Sequence, residues 1–194
     1  MNSNWKWVYN PFEKVAGWKA FGIGIVILAI TTVVGYWGDT VFYGIQIKVN
    51  PNITWSLALS LQALGLAVTV AVMYITALLF AKHIRFQDIL GTVTLAKYPL
   101  ILMALLSLAF GYKLASIDVN TIINNGITFS DYTLLFIFGI ISILVLVWVI
   151  ALLYNAFKVS TNLKGVKCGV LFTAIMLVSE IITIVLVSVF YHVK

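Results

Sequence analysis

Apolar residues run along this chain in five long blocks, 20–38, 55–81, 92–112, 132–154 and 169–191, with short polar stretches between them. A helix needs about 20 predominantly apolar residues to cross a hydrocarbon core about 30 Å thick, and each block supplies roughly that length. The pattern predicts an all-α, polytopic integral membrane protein: a five-span membrane domain over residues 20–194, preceded by an interfacial N-terminal segment over 1–19. The second block is the longest and is expected to tilt or to carry an interfacial end. The connections leave no room for a soluble domain, and no internal repeat appears. The first block exceeds the apolar region of about 7–15 residues found in a cleavable secretion signal. It also ends in the bulky stretch VVGYWGDT, so it is expected to be retained.

Composition agrees with that pattern. Hydrophobic residues make up 62% of the chain and charged residues 9%, a balance outside the range of soluble domains. Charge adds an orientation. Lys6, Lys14, Lys19, Lys82, Arg85, Lys97, Lys158, Lys164 and Lys167 fall on the side of the N-terminus, and Lys48, Lys113 and Lys194 on the other. Cations are retained in the cytoplasm, so the split predicts a multi-pass protein of the cell (plasma or inner) membrane, N-terminus inside and C-terminus outside. The net charge of +6 then reflects topology and attraction to anionic lipid. The cations sit in separate short segments, which argues against nucleic acid as a partner.

The N-terminal segment carries Trp5, Trp7 and Trp18 with Tyr9 and Phe12, the composition of an interfacial anchor. Asn10-Pro11-Phe12-Glu13 reads as a helix start, with Asn10 as cap, Pro11 in the first turn and Glu13 closing a capping box. A short helix from about Pro11, lying in the cytoplasmic interface, is expected. After the second span, Phe86, Ile89 and Leu90 are placed on lipid and Arg85, Gln87 and Asp88 toward water. Lys97 and Pro99 follow one to two turns inside the third block: Pro99 removes a backbone hydrogen bond and kinks the helix, and Lys97 reaches back to the interface. Gly165-x-x-x-Gly169 and Ala67-x-x-x-Ala71 have the spacing of close helix contacts.

Few residues carry candidate chemistry. His83 and His192 lie on opposite faces and Cys168 is the only cysteine, so no metal site, disulfide or thiolate cluster can be assembled from them. Asp39, Asp118 and Asp131 fall in outer loops. No phosphate-binding loop or nucleophile elbow is present. No catalytic residue and no cofactor is expected. The exception to this blandness is Glu180, at the centre of the last block. An ionised acid at the centre of a membrane helix costs about 2.5–3.5 kcal/mol, which makes such a residue a functional candidate whose partner must be named. Gln62 lies about 10 Å from the outer end of its span and Glu180 about 16 Å from the inner end of its own, near the same level, with Ser107 and Ser142 at similar depth and Lys97 about 8 Å shallower. Glu180, Gln62 and Lys97 form the candidate intramembrane polar site, with Glu180 expected to be neutral and hydrogen-bonded to Gln62 or a serine.

Three clusters recur in a recognisable order: Asn10-Pro11-Phe12 before the first span; Lys97-Tyr98-Pro99 at the third; and Trp148, then Leu152-Leu153-Tyr154-Asn155-Ala156-Phe157, with Asn162-Leu163-Lys164-Gly165 leading into the last. With the five-span layout, they resemble the Yip domain family of Rab-interacting membrane proteins over about residues 10–190. Eukaryotic members carry a sizeable soluble N-terminal region and act with Rab GTPases in vesicle traffic. With about 19 residues before its first span, this chain resembles the prokaryotic branch, for which the family implies a fold and no settled activity. No Rab-binding residue carries over. The expected function is that of a non-enzymatic integral membrane protein engaged in membrane organisation or partner binding. The bilayer, membrane proteins and further copies of itself are its expected contacts. The alternative is a small transporter or channel subunit using Glu180.

Overall fold

The computed structural model describes residues 6–50, 53–117 and 128–191. It contains five helical segments long and apolar enough to cross a membrane, and the all-α reading stands. A helical turn α1 (Lys6–Tyr9) and a 3-10 turn (Pro11–Glu13) precede the first span, α2 (Gly17–Trp37). Two strands follow, β1 (Thr40–Tyr43) and β2 (Gln46–Val49), and then the second span, α3 (Trp55–Phe80). The third span has two pieces, α4 (Phe86–Ala96) and α5 (Leu100–Ala115); α6 (Phe129–Thr161) and α7 (Gly165–Tyr191) complete the bundle. Local chemistry fixes several ends. Thr128 and Asp131 form a reciprocal capping box at the start of α6, and Asn162 closes that helix in the left-handed region at φ 55°.

The most extensive helix–helix contact joins α2 to α4, continuing onto α5. These run parallel and nearly touch along a seam of small residues. A side chain added at Gly24 would lie 2.7 Å from the Leu95 backbone nitrogen, and one at Gly38 would lie 2.5 Å from that of Leu108. Gly91 abuts the Gly17 carbonyl and Gly111 that of Gly38. In lipid, water gives helices no drive to associate, so close backbone approach through small residues carries the packing. The Gly165 and Gly169 pair does not work this way: a side chain added at either would meet no packed neighbour within 4 Å. On the far side of α4–α5 lies α6, and α7 packs chiefly on α3. The threonine hydroxyls inside the spans bond to carbonyls four residues earlier, as at Thr31, Thr32, Thr69 and Thr183, which satisfies them without any partner helix.

Two features depart from the sequence expectation. The third span starts at Phe86, not near residue 92, so Ile89 is buried and Lys97 lies about 16 Å along the span. The second is the hairpin. Residues 40–49, expected as a plain connection, pair antiparallel with Thr40 opposite Val49 and Tyr43 opposite Gln46, leaving Gly44 and Ile45 as a two-residue loop. Gly44 has φ +59° and Ile45 does not share the positive sign, the signature of a type II′ turn with glycine first. Every residue of β1 is buried. The hairpin therefore lies within the helical bundle, packed on α2, α3 and α5, and does not project from it.

The N-terminal segment also differs from expectation. Asn10 makes no side-chain cap bond; its amide donates instead to Glu13 at 3.0 Å. The short helix expected from Pro11 is a single 3-10 turn, Pro11–Glu13, and Pro11 and Phe12 are buried against the bundle. Trp18 is exposed, as an interface anchor requires. Trp5 and the side chain of Trp7 lie outside the described residues.

Candidate functional site: a charged centre holding a buried hairpin

Glu180 does not bond to Gln62. Its Oε1 accepts from the Ile45 backbone N–H at 2.8 Å and its Oε2 from the Gln46 amide at 3.4 Å. Both oxygens accept from N–H donors of the hairpin tip, where a bond to Gln62 or a serine was expected. The serines named as alternative partners bond within their own helices, Ser107 to the Ala104 carbonyl and Ser142 to that of Phe138. Gln62, 8% exposed, lines a different cavity between α2 and α3.

Lys97 does not snorkel. It is 1% exposed, and its Nζ donates to the Gly44 carbonyl at 3.2 Å. Gly44 C=O and Ile45 N–H belong to one peptide group. A single amide at the hairpin tip thus receives a lysine at its oxygen and presents its hydrogen to a glutamate. No ion pair within 4 Å joins Lys97 and Glu180 directly among the described residues.

The physical reason is backbone satisfaction. Non-helical backbone at membrane depth persists only where protein meets its hydrogen-bonding needs. The tip of a two-stranded hairpin leaves loop groups outside the ladder, and here two charged side chains from separate spans take them. Depth supports this. Glu180 lies about 22 Å from the start of α7 and about 16 Å from its end. A strand of four residues reaches about 13 Å, enough to bring the tip from the end of α2 toward that level. Gly65 of α3 makes the seat: a side chain there would collide with the Gly44 nitrogen.

Around Lys97 the span changes conformation. Leu100, Ile101 and Leu102 donate to the carbonyls of Lys97, Tyr98 and Pro99, a 3-10 ladder that carries the chain past the position where Pro99 has no N–H to give. Lys97 turns to the hairpin and Tyr98 to the N-terminal segment. The Tyr98 hydroxyl donates to the Val8 carbonyl at 3.2 Å, which also accepts from Trp148 Nε1 at 3.0 Å. The two rings meet edge to face at 5.5 Å. Asn155 adds a bond from its amide to the Tyr9 carbonyl at 2.8 Å. The clusters around Asn10, Tyr98, Trp148 and Asn155, far apart in sequence, thus form one dock for the N-terminal strap.

Glu180 has one further neighbourhood. With Gln46 and Ser142, and with Ile45, Ile47, Ile143 and Leu146, it lines a cleft of about 450 Å³ between β2, α6 and α7. These two helices pack only sparsely on each other. The missed element in the sequence was the hairpin. The stretch TVFYGIQIKV, rich in β-branched and aromatic residues around one glycine, was its signal. No family model, curated protein or solved structure matches the chain.

Proposed function

We propose that this chain is a non-enzymatic protein of the cell membrane, N-terminus cytoplasmic and C-terminus outside, with the organisation of the Yip family, and that it binds a partner within the bilayer. The observation that carries this reading is the cleft at Glu180. It offers a carboxyl, an amide and a hydroxyl near mid-depth, on walls that are otherwise apolar. A lipid tail gains nothing from those groups. A partner's membrane helix bearing an amide, hydroxyl or cation at that level would form interhelical hydrogen bonds, worth about 0.6–2 kcal/mol each.

A second reading draws support from the third span. A helix broken well inside the membrane beside opposite charges is the arrangement transporters use for ions and substrates. Two measurements separate the readings. A photoreactive residue at Ile143, which is 61% exposed on the cleft wall, should crosslink in cells to a discrete membrane protein or a second copy, and Glu180→Leu should abolish that product. Crosslinking to lipid alone would contradict partner binding. Purified protein in liposomes should pass no more protons or potassium than empty liposomes. A flux that Glu180→Gln abolishes would put transport first.

A further inference from the structure

A second cavity shares no lining residue with the cleft at Glu180. It measures about 510 Å³ and runs between α2 and α3, which touch little although they are consecutive spans. Its floor explains the gap. Ala63, Ala67 and Ala71 recur every four residues along one exposed stripe of α3, so the helix presents methyl groups where larger side chains would close onto α2. The spacing that suggested helix packing at Ala67 and Ala71 makes a groove instead. Along α2 the groove extends from Phe21 to Thr32, about 16 Å, close to the depth of one leaflet of a hydrocarbon core about 30 Å thick.

The end toward the N-terminal side has a different chemistry. Phe86 and Leu90 close the groove there, and Phe86 is shared with an adjoining pocket of about 340 Å³ lined by Trp18, Arg85 and Gln87. Arg85 is exposed, and among the described residues no carboxylate pairs with its guanidinium. Trp18, 62% exposed, stands beside it. An aromatic at headgroup level, a planar cation suited to phosphate and an apolar channel of one leaflet's length are thus continuous.

We propose that this groove binds an anionic phospholipid of the surrounding leaflet, one acyl chain between α2 and α3 over the alanine floor and its phosphate on Arg85. The alanines give the chain a fixed channel, and Arg85 with Gln87 selects the headgroup by charge and hydrogen bonding.

The test is native mass spectrometry of the full chain in neutral detergent, titrated with palmitoyl-oleoyl phosphatidylglycerol or the matching phosphatidylcholine. One phosphatidylglycerol should bind per protein, with a preference of about fivefold or more over phosphatidylcholine, the effect of one cation near an anionic surface. Arg85→Gln should reduce the preference toward one. Ala67→Leu, and independently Ala63→Leu, should weaken retention of both lipids. Both changes place their new atoms in the open groove, and an unaltered melting temperature would confirm that they fold. Glycerol 3-phosphate should not compete. Equal retention of the two lipids by the native protein, an unchanged preference in Arg85→Gln, or undiminished binding in both alanine variants would each overturn the proposal. Competition by glycerol 3-phosphate would also overturn it, by showing a phosphate site without a chain site.

Discussion

Glu180 and Lys97 are each other's counterparts through a third group, and this sets what their substitutions do. In Glu180→Gln, an amide oxygen can still accept from the Ile45 N–H, but one of the two acceptor oxygens is replaced by an NH2 that cannot accept from the Gln46 amide. The expected loss is about 1 kcal/mol. Glu180→Leu leaves the Ile45 N–H and the Gln46 amide without their acceptor, while Lys97 keeps its bond to the Gly44 carbonyl, so it should cost about 1–3 kcal/mol, the penalty for a donor left unsatisfied. Lys97→Met removes the donor to Gly44 and should fall between them. Unfolding in mixed detergent micelles, followed by circular dichroism, gives the order native, Glu180→Gln, Lys97→Met, Glu180→Leu. Equal stability of the native protein and Glu180→Leu would mean the tip bonds contribute nothing. The sequence showed Glu180 and Lys97 as anomalies, because a charge among aliphatic residues is visible without a fold. It did not show their partner, because that partner is a backbone amide. A main-chain group has no signature in a sequence; Gln62 and the serines were visible only because they have polar side chains.

The hairpin and the strap are the two elements that make this bundle more than packed helices. Gly44 meets φ +59° without a Cβ, and Gly65 leaves room for the tip to lie on α3. Gly44→Ala pays left-handed strain of about 1–2 kcal/mol, and its methyl group also meets the Glu180 carboxyl. Gly65→Val should be worse, because the collision is with backbone. Both variants should make Gln46 and Ile47 accessible to proteolysis or to polar label where the native protein is closed. The strap follows different physics. Trp148→Phe keeps the ring but drops the bond to the Val8 carbonyl, so it should loosen the N-terminal segment by about 1 kcal/mol. Faster protease trimming of residues before Pro11, with unchanged global melting, is the expected readout. Both elements meet at Lys97-Tyr98-Pro99, where adjacent residues hold the hairpin and the strap. The spans were legible in the sequence because twenty apolar residues in a row admit one explanation. The start of the third span was misplaced because its first turn carries the polar Gln87 and Asp88, which hydropathy assigns to the interface. The strap was read as an interfacial helix because Trp, Tyr and Phe suit both headgroups and a protein groove, and the pairing of Val8 and Tyr9 carbonyls with Tyr98, Trp148 and Asn155 depends on tertiary contact alone.

At the scale of the molecule, a parallel pair of spans sealed by small residues forms the centre, α6 and the α3–α7 pair flank it, and an inserted hairpin fills the space that helices alone would leave open. The proposed orientation rests on the uneven split of the cations. With Cys168 replaced, Val166→Cys should react with an impermeant maleimide only from the cytoplasmic side and Ser130→Cys only from outside; reaction of both from one side would contradict the five-span path. The central claim is that residues 40–49 enter the bundle and end at Glu180, not in the aqueous loop their position between two spans would suggest. The most direct test is a bimane label on Ile45→Cys, a change that keeps the backbone N–H bonded to Glu180, in liposomes whose lipids carry a nitroxide either on the headgroup or at mid-chain. The account predicts strong quenching from mid-chain and weak quenching from the headgroup, with the pattern reversing in Glu180→Ala. Strong headgroup quenching of the label in the native background would place the hairpin tip at the surface and contradict it.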